Sequence, residues 1–279
     1  MTVDAHHHVW DLSVRGQDWI KGPELAPLAR DFAIEELAPQ ARAAGVGRTV
    51  LVQTVTVADE TPEFLALAHG SDLVAAVVGW TDLTRPDVAD ELARLRELPG
   101  GHLLRGIRHQ VQSEPDPEWL LREDVGRGMS ALAAAGLVHD LVVLPHQLPV
   151  CVRAAERHPG LTFVLDHLGK PPVASAETEP WATDLRAFAA LPNTVAKLSG
   201  LVTEAAPGAW TTGDLAPYAA TALDAFGPHR LMFGSDWPVC TLAATYTEVA
   251  RTARELTSHL PPADRNALFT TTATRVYGL

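Results

Sequence analysis

Eight short runs of β-branched and apolar residues recur along this chain, separated by longer segments, several of them with helical period. The runs fall at residues 3–9, 48–54, 73–80, 103–108, 137–144, 161–166, 194–198 and 230–233. Several intervening helices carry their own start and stop signals. A helix predicted over 32–44 has Asp31 as a cap and stops at Gly45; one over 60–68 ends near Gly70. Further helices are predicted over 86–98, 125–135 and 148–158, ending before Pro99-Gly100-Gly101, at Gly136 and at Pro159-Gly160. Strict alternation demands a parallel sheet, since parallel neighbours need a crossover and helices supply it. No glycine-rich dinucleotide loop follows the first run, and 279 residues suit a closed eight-stranded barrel better than an open sheet. The expected fold is α/β: a (β/α)8 TIM barrel forming one domain over residues 1–279.

A hydrophobic content of 47% provides for a large core and argues against global disorder. No apolar run reaches the ~18–20 residues of a bilayer span, and residues 1–6 show no secretory pattern. Cys151 and Cys240 are too few for a disulfide framework and match no zinc spacing, so a cytoplasmic protein without a membrane partner is expected. A formal net charge of −12 argues against nucleic acid as a partner. It also means that an anionic substrate would need positive charge placed locally.

A barrel carries its chemistry at the C-terminal ends of its strands, so polar residues at the ends of the runs are the candidates. The first run leads into His6-His7-His8. Residues two apart on a strand face the same way, so His6 and His8 converge while His7 points away and reads as structural. Converging imidazoles suit a divalent metal or an anion. The alternatives are a solvated histidine patch and an expression tag, and a tag does not fit histidines embedded between Asp4-Ala5 and Val9-Trp10-Asp11. The sixth run ends in Asp166-His167, where His167 is a site candidate and Asp166 a supporting partner or a turn cap. The eighth ends in Gly234-Ser235-Asp236-Trp237-Pro238, which places Asp236 to take a proton from water or to complete a metal site. At the fourth run Arg105 and Arg108 lie three apart and face opposite sides. Arg108, nearer the exit, is the substrate-binding candidate, joined by His109. His146 after the fifth run could touch substrate or cap a helix. Lys197 and Ser199 share one face at the seventh, where Lys197 could instead pair with a carboxylate. Trp10, Trp80 and Trp237 at run ends could wall a sugar ring or pack under loops, and Trp10 and Trp237 are taken as substrate-binding.

The block Asp4-Ala5-His6-His7-His8-Val9-Trp10-Asp11 resembles the opening of the amidohydrolase-2 family. Residues 106–120, Gly-Ile-Arg-His-Gln-Val-Gln-Ser-Glu-Pro-Asp-Pro-Glu-Trp-Leu, are similar to its L-fuconolactone hydrolase branch. The blocks 163–172, 197–204 and 233–240 extend the resemblance over essentially the whole chain. The resemblance implies a (β/α)8 barrel that opens a sugar-acid lactone, a small-molecule partner. Residue by residue it puts His6 and His8 at the family's HxH pair, His167 at its later histidine and Asp236 at its base. His6, His8, His167 and Asp236 would then be the ligands of one divalent ion, zinc or manganese, which some members hold and others dispense with. No position matches the carboxylated lysine of two-metal relatives, as Lys197 comes too late in the chain. Two other readings stand beside it: a metal-dependent decarboxylase of the same superfamily, and a non-catalytic barrel that binds a sugar acid. Assembly as a homo-oligomer is left open.

Overall fold

The computed structural model describes residues 1–279. Eight parallel strands run in chain order: β1 (Thr2–His7), β2 (Val46–Val52), β3 (Val74–Gly79), β4 (Leu104–His109), β5 (Val138–Leu141), β6 (Phe163–Leu165), β7 (Thr194–Leu198) and β8 (Leu231–Phe233). Each pairs with the next in parallel. The ring closes just past β8, where His7 and Trp237 form a parallel bridge. The Asp236 N–H donates to His6 O at 2.8 Å, and the His8 N–H donates to Trp237 O at 2.7 Å. The expected barrel is therefore present, and its closing seam joins the first motif to the last.

The strands match the predicted runs to within a few residues, with differences at both ends. The first run was expected to extend to residue 9, yet β1 stops at His7, and His8 begins the loop. β6 holds three residues rather than six: it starts two residues later, at Phe163, and stops at Leu165, two residues before the left-handed His167. Helices Ile34–Ala43, Glu60–His69, Val88–Glu97, Glu123–Ala134 and Leu148–Arg157 occupy the predicted segments. Helices Trp181–Ala189, Thr212–Phe226 and Tyr246–Leu256 complete the outer ring. No helix is long and apolar enough to cross a membrane.

Two apolar layers hold the molecule. The larger lies between sheet and helices and includes Leu51, Ile107, Leu165 and Phe233. The smaller fills the lower barrel with slim side chains, among them Val3, Ala5, Val50, Val78 and Val164, and the helix Thr272–Tyr277 adds Ala273 and Tyr277 to it. Small branched residues suit the inside of an eight-stranded barrel, where there is room for side chains and nothing else. Above this plug sit buried Asp140, Asp166, Lys197 and Arg108. The barrel thus changes from apolar to ionic on approaching its C-terminal mouth.

Candidate active site

A β-bulge aims the paired histidines. Val3 and Ala5 face the barrel interior, so simple alternation would send His7 inward. The β1–β2 register slips between Asp4 and His7, inserting one extra residue on β1. The slip turns His6 and His8 inward and leaves His7 facing away, fully buried with neither ring nitrogen bonded. Asp4 locks the same stretch. Its carboxylate accepts the His6 N–H at 3.1 Å, the Ser235 N–H at 2.8 Å and the Tyr246 hydroxyl at 3.0 Å, tying β1 to the exit of β8. Burial pushes Asp4 up to about 6 against those bonds.

His167 and Asp236 reach the site from left-handed backbone, at φ 53° and 58°. Non-glycine residues adopt this region at a cost and concentrate at functional sites. Gly200, at φ +68°, makes room for His167: a Cβ there would lie 2.7 Å from the imidazole Cγ and Nδ1. His167 Nδ1 shares a hydrogen bond of 2.9 Å with Ser199 Oγ.

The four groups meet. Asp236 Oδ1 lies 3.5 Å from His8 Nε2, 3.7 Å from His6 Nε2 and 3.8 Å from His167 Nε2. The two Nε2 atoms of His6 and His8 are 3.1 Å apart. Burial disfavours the charged form of each imidazole: His6 falls well below its ordinary value, His8 is lowered, and His167 is brought to about 4. Burial also works to raise Asp236, but His167, His8 and Lys170 outweigh it and leave the carboxyl below its usual range. At neutral pH the site is one carboxylate facing three neutral imidazoles.

That donor set fits a divalent ion. Nitrogen and oxygen ligands at 2.0–2.2 Å in a tetrahedral arrangement stand roughly 3.4 Å apart, close to the observed separations, and His6, His167 and Asp236 have donor atoms within 4.8 Å of one another. His8 donates from Nδ1 to Val52 O at 2.8 Å, which leaves its Nε2 lone pair free. His6 Nδ1 lies 3.3 Å from Asp166 Oδ1 and 3.0 Å from Lys197 Nζ; a bond toward the carboxylate is the one that frees Nε2 for an ion.

Beneath this layer, Lys197 pairs with Asp140 at 2.5 Å and Asp166 at 2.8 Å, fully buried. Lys197 and Asp166 are thus supporting residues, two of the alternatives open from the sequence. Lys197, His6 and Arg108 hold Asp166 well below its ordinary value despite burial, whereas burial carries Asp140 up to about 6.

The substrate-binding candidates divide. Arg108 lines the cavity, but its donors are committed to the protein. Nε and Nη2 bond Gln53 Oε1 at 3.0 and 2.9 Å, Nη2 also bonds Gln53 O, and Nη1 bonds Asp166 Oδ2 at 3.0 Å with His6 Nε2 at 3.4 Å. His109 faces out of the barrel. It stacks on Trp119 at 4.1 Å, pairs with Glu114 at 2.6 Å and accepts from the Trp80 indole at 3.1 Å. Trp10 and Trp237 are buried against Phe32 with their rings in the helix layer, and His146 stands exposed in a turn; none of these three lines the cavity. Sequence period placed them at strand exits but could not show that the rings turn into the helix layer.

The cavity over Asp236 measures about 360 Å³. Its walls include Trp19, Gln112, Lys170, Thr203 and Glu204, none singled out from the sequence as a site residue. Lys170 and Glu204 had a signal available, since both follow strand exits closely; Trp19 sits in a loop with no period to read. A larger cavity of about 850 Å³ lies outside the barrel beside helices Ile34–Ala43 and Glu60–His69 and contains none of the paired histidines.

Comparison with known proteins supplies the family. The amidohydrolase family model matches residues 3–279. An L-fucono-1,5-lactonase of Burkholderia multivorans is 42% identical over 293 aligned residues, covering 100% of this chain and 96% of the relative. A second L-fucono-1,5-lactonase, from Burkholderia ambifaria, is 38% identical over 88% of this chain and 82% of its own. The crystal structure of an amidohydrolase from B. multivorans with bound zinc superposes with a TM-score of 0.93 at 42% identity, covering 100% of this chain and 99% of that one. The chain belongs to the amidohydrolase family.

Proposed function

We propose that this protein hydrolyses a sugar-acid lactone to the free acid, with L-fucono-1,5-lactone, the substrate named for its relatives, as the first compound to test. The observation that carries the reading is the convergence of three imidazole Nε2 atoms within 3.8 Å of one buried carboxylate oxygen at the floor of a polar-walled cavity. Asp236, held ionised by its neighbours, accepts a proton from water as general base. The water oxygen adds to the lactone carbonyl carbon, and the carbonyl electron pair moves onto its oxygen. That oxygen lies toward His6, His8 and His167. Arg108, with its N–H groups engaged elsewhere, contributes charge there rather than a hydrogen bond. A divalent ion, zinc or manganese, would be held by His6, His8, His167 and Asp236 and would polarise the carbonyl when bound.

The test is acid release from a panel of aldonolactones, by protein as purified and after chelation, with Asp236→Asn alongside. The wild-type protein should open at least one lactone. Asp236→Asn should keep the melting temperature and KM while kcat falls by about 10²–10⁴-fold. An Asn variant that turns over nearly as fast as wild type sinks the assignment of the base. Chelation that abolishes activity, with recovery on adding zinc or manganese, makes the ion obligatory; full activity after chelation leaves polarisation to the protein's own groups.

A further inference from the structure

Opening a lactone releases an alkoxide, and something must hand it a proton. In an acidic protein whose nearest arginine is fully engaged, the cations free to do so are few. Arg108 is held by the protein through all three nitrogens, Nε and Nη2 on Gln53 and Nη1 on Asp166. Lys197 lies below the histidines, closed in by Asp140 and Asp166. Lys170 differs from both: it lines the cavity, and its ammonium enters none of the ion pairs or side-chain hydrogen bonds of the protein. Its backbone is the fourth in an uninterrupted left-handed run, His167, Leu168, Gly169 and Lys170 at φ 53°, 53°, 71° and 56°. That strained turn carries His167 and Lys170 to the same opening. Lys170 acts electrostatically on Asp236, His167 and Glu204, which places its charge among the reacting groups. Glu204, which also lines the cavity, has no hydrogen-bond partner of its own.

The directions of the substrate follow. The carbonyl carbon must sit at Asp236 and its oxygen toward the deeply buried imidazoles. The ring oxygen on that carbon then points up the cavity, where half-buried Lys170 and Glu204 stand. The geometry points to Lys170 as the catalytic acid that protonates the departing ring oxygen, with Glu204 beside it to receive substrate hydroxyls. The inference rests on the lactonase reading. When the tetrahedral intermediate collapses, the oxyanion pair returns to the carbonyl and the carbon–ring-oxygen bond breaks toward oxygen. That oxygen takes a proton from Lys170 Nζ. The proton that Asp236 removed from water passes back to the neutral amine, and the product acid loses its own proton to solvent. One lactone and one water give one hydroxy-carboxylate and one proton, with both side chains restored.

The test uses the full-length protein and three substrates: L-fucono-1,5-lactone; δ-valerolactone, which lacks hydroxyls and leaves as an alkoxide; and dihydrocoumarin, which lacks hydroxyls and leaves as a phenoxide. Lys170→Met should lower kcat on the two alkyl lactones by about 10²–10⁴-fold, while the aryl lactone, whose leaving group needs no acid, is nearly unaffected. Lys170→Arg keeps the charge but holds its proton far more tightly, and should restore KM without restoring kcat. The assignment is overturned if Lys170→Arg turns over like wild type. It is overturned equally if Lys170→Met loses the same factor on alkyl and aryl lactones, or if the loss is confined to KM on the sugar lactone. Wild-type protein that opens none of the three defeats the lactonase reading itself, and this inference with it.

Discussion

Two glycines separate conformational demand from steric demand at the residue scale. Gly200 and Gly136 both sit in the left-handed region, at φ +68° and +64°. A Cβ on Gly136 meets nothing within 4 Å, whereas one on Gly200 enters the His167 ring. Alanine at either position should cost about 1–2 kcal/mol for the left-handed backbone. Gly200→Ala should in addition displace the imidazole from Asp236 and lower kcat steeply, because sub-ångström placement governs catalytic steps. Thermal melts and steady-state kinetics on the two variants check this: similar melting losses with activity lost only in Gly200→Ala is the expected pattern. Much at this scale was legible. His6, His8, His167 and Asp236 stand out because strand exits are where a barrel exposes polar side chains, and the structure brings all four together. What could not be read was direction. His109 and Trp237 occupy exits as good as those of His167 and Asp236, yet their rings pack outward on Trp119 and Phe32. His109 is still paired on β4, where alternation sets it opposite Arg108, whereas Trp237 lies past β8, where side-chain direction depends on loop torsions that no period encodes.

Strand order and number were legible at the element scale because each buried run needs its own apolar pattern. The β1 bulge was not, although it decides the site. Alternation counted from His6 gives the correct inward pair, but alternation counted from Val3 and Ala5 gives the wrong one, and only the slipped register reconciles them. The helix Thr272–Tyr277 was equally hidden, since nothing local announces that it enters the barrel. It does so with consequence: the Tyr277 hydroxyl donates to Asp140 Oδ2 at 2.8 Å, and that same oxygen holds Lys197. Tyr277→Phe keeps the ring and removes the bond. Asp140 Oδ2 keeps Lys197, so the change removes one buried hydrogen bond to a charged group and should cost about 1.5–3 kcal/mol. The measured result should be a melting point lower by several degrees, with turnover near wild type, because Lys197 still pairs with both acids. A kcat loss as large as that of Asp236→Asn would mean that the helix reaches the chemistry more directly than this chain of contacts allows.

At the scale of the whole molecule, the buried ionisable groups set how the protein responds to acid. His7, His139 and His167 are brought by burial to about 3, 4 and 4, and His6 and His8 are lowered too. Unfolded, each would bind a proton near pH 6.5. Between the folded and unfolded values the unfolded chain therefore holds more protons, and stability falls as pH falls. Asp4 and Asp140, raised to about 6, and Glu60, raised by burial, act in the opposite sense over the lower part of that window. With His109 and His158 also lowered, and Asp184 and Glu204 also raised, seven histidines stand against five acids, and between pH 6 and 6.5 the histidines act almost alone. Stability should thus be level above neutrality and decline from pH 6.5 toward 4, where loss of the depressed Asp166 and Asp236 charges adds to it. His139 isolates the effect away from the catalytic groups. Its Nδ1–H donates to Ile107 O at 2.9 Å, its Nε2 has no partner, and its ring packs on Phe163. His139→Phe forfeits one hydrogen bond at neutral pH but removes one acid-sensitive site. Between pH 6 and 4.5 its stability should therefore fall less steeply than wild type, by about 1.4 kcal/mol per pH unit. Chemical denaturation at intervals across that range measures the two slopes; parallel slopes would show that His139 is not a source of the acid sensitivity.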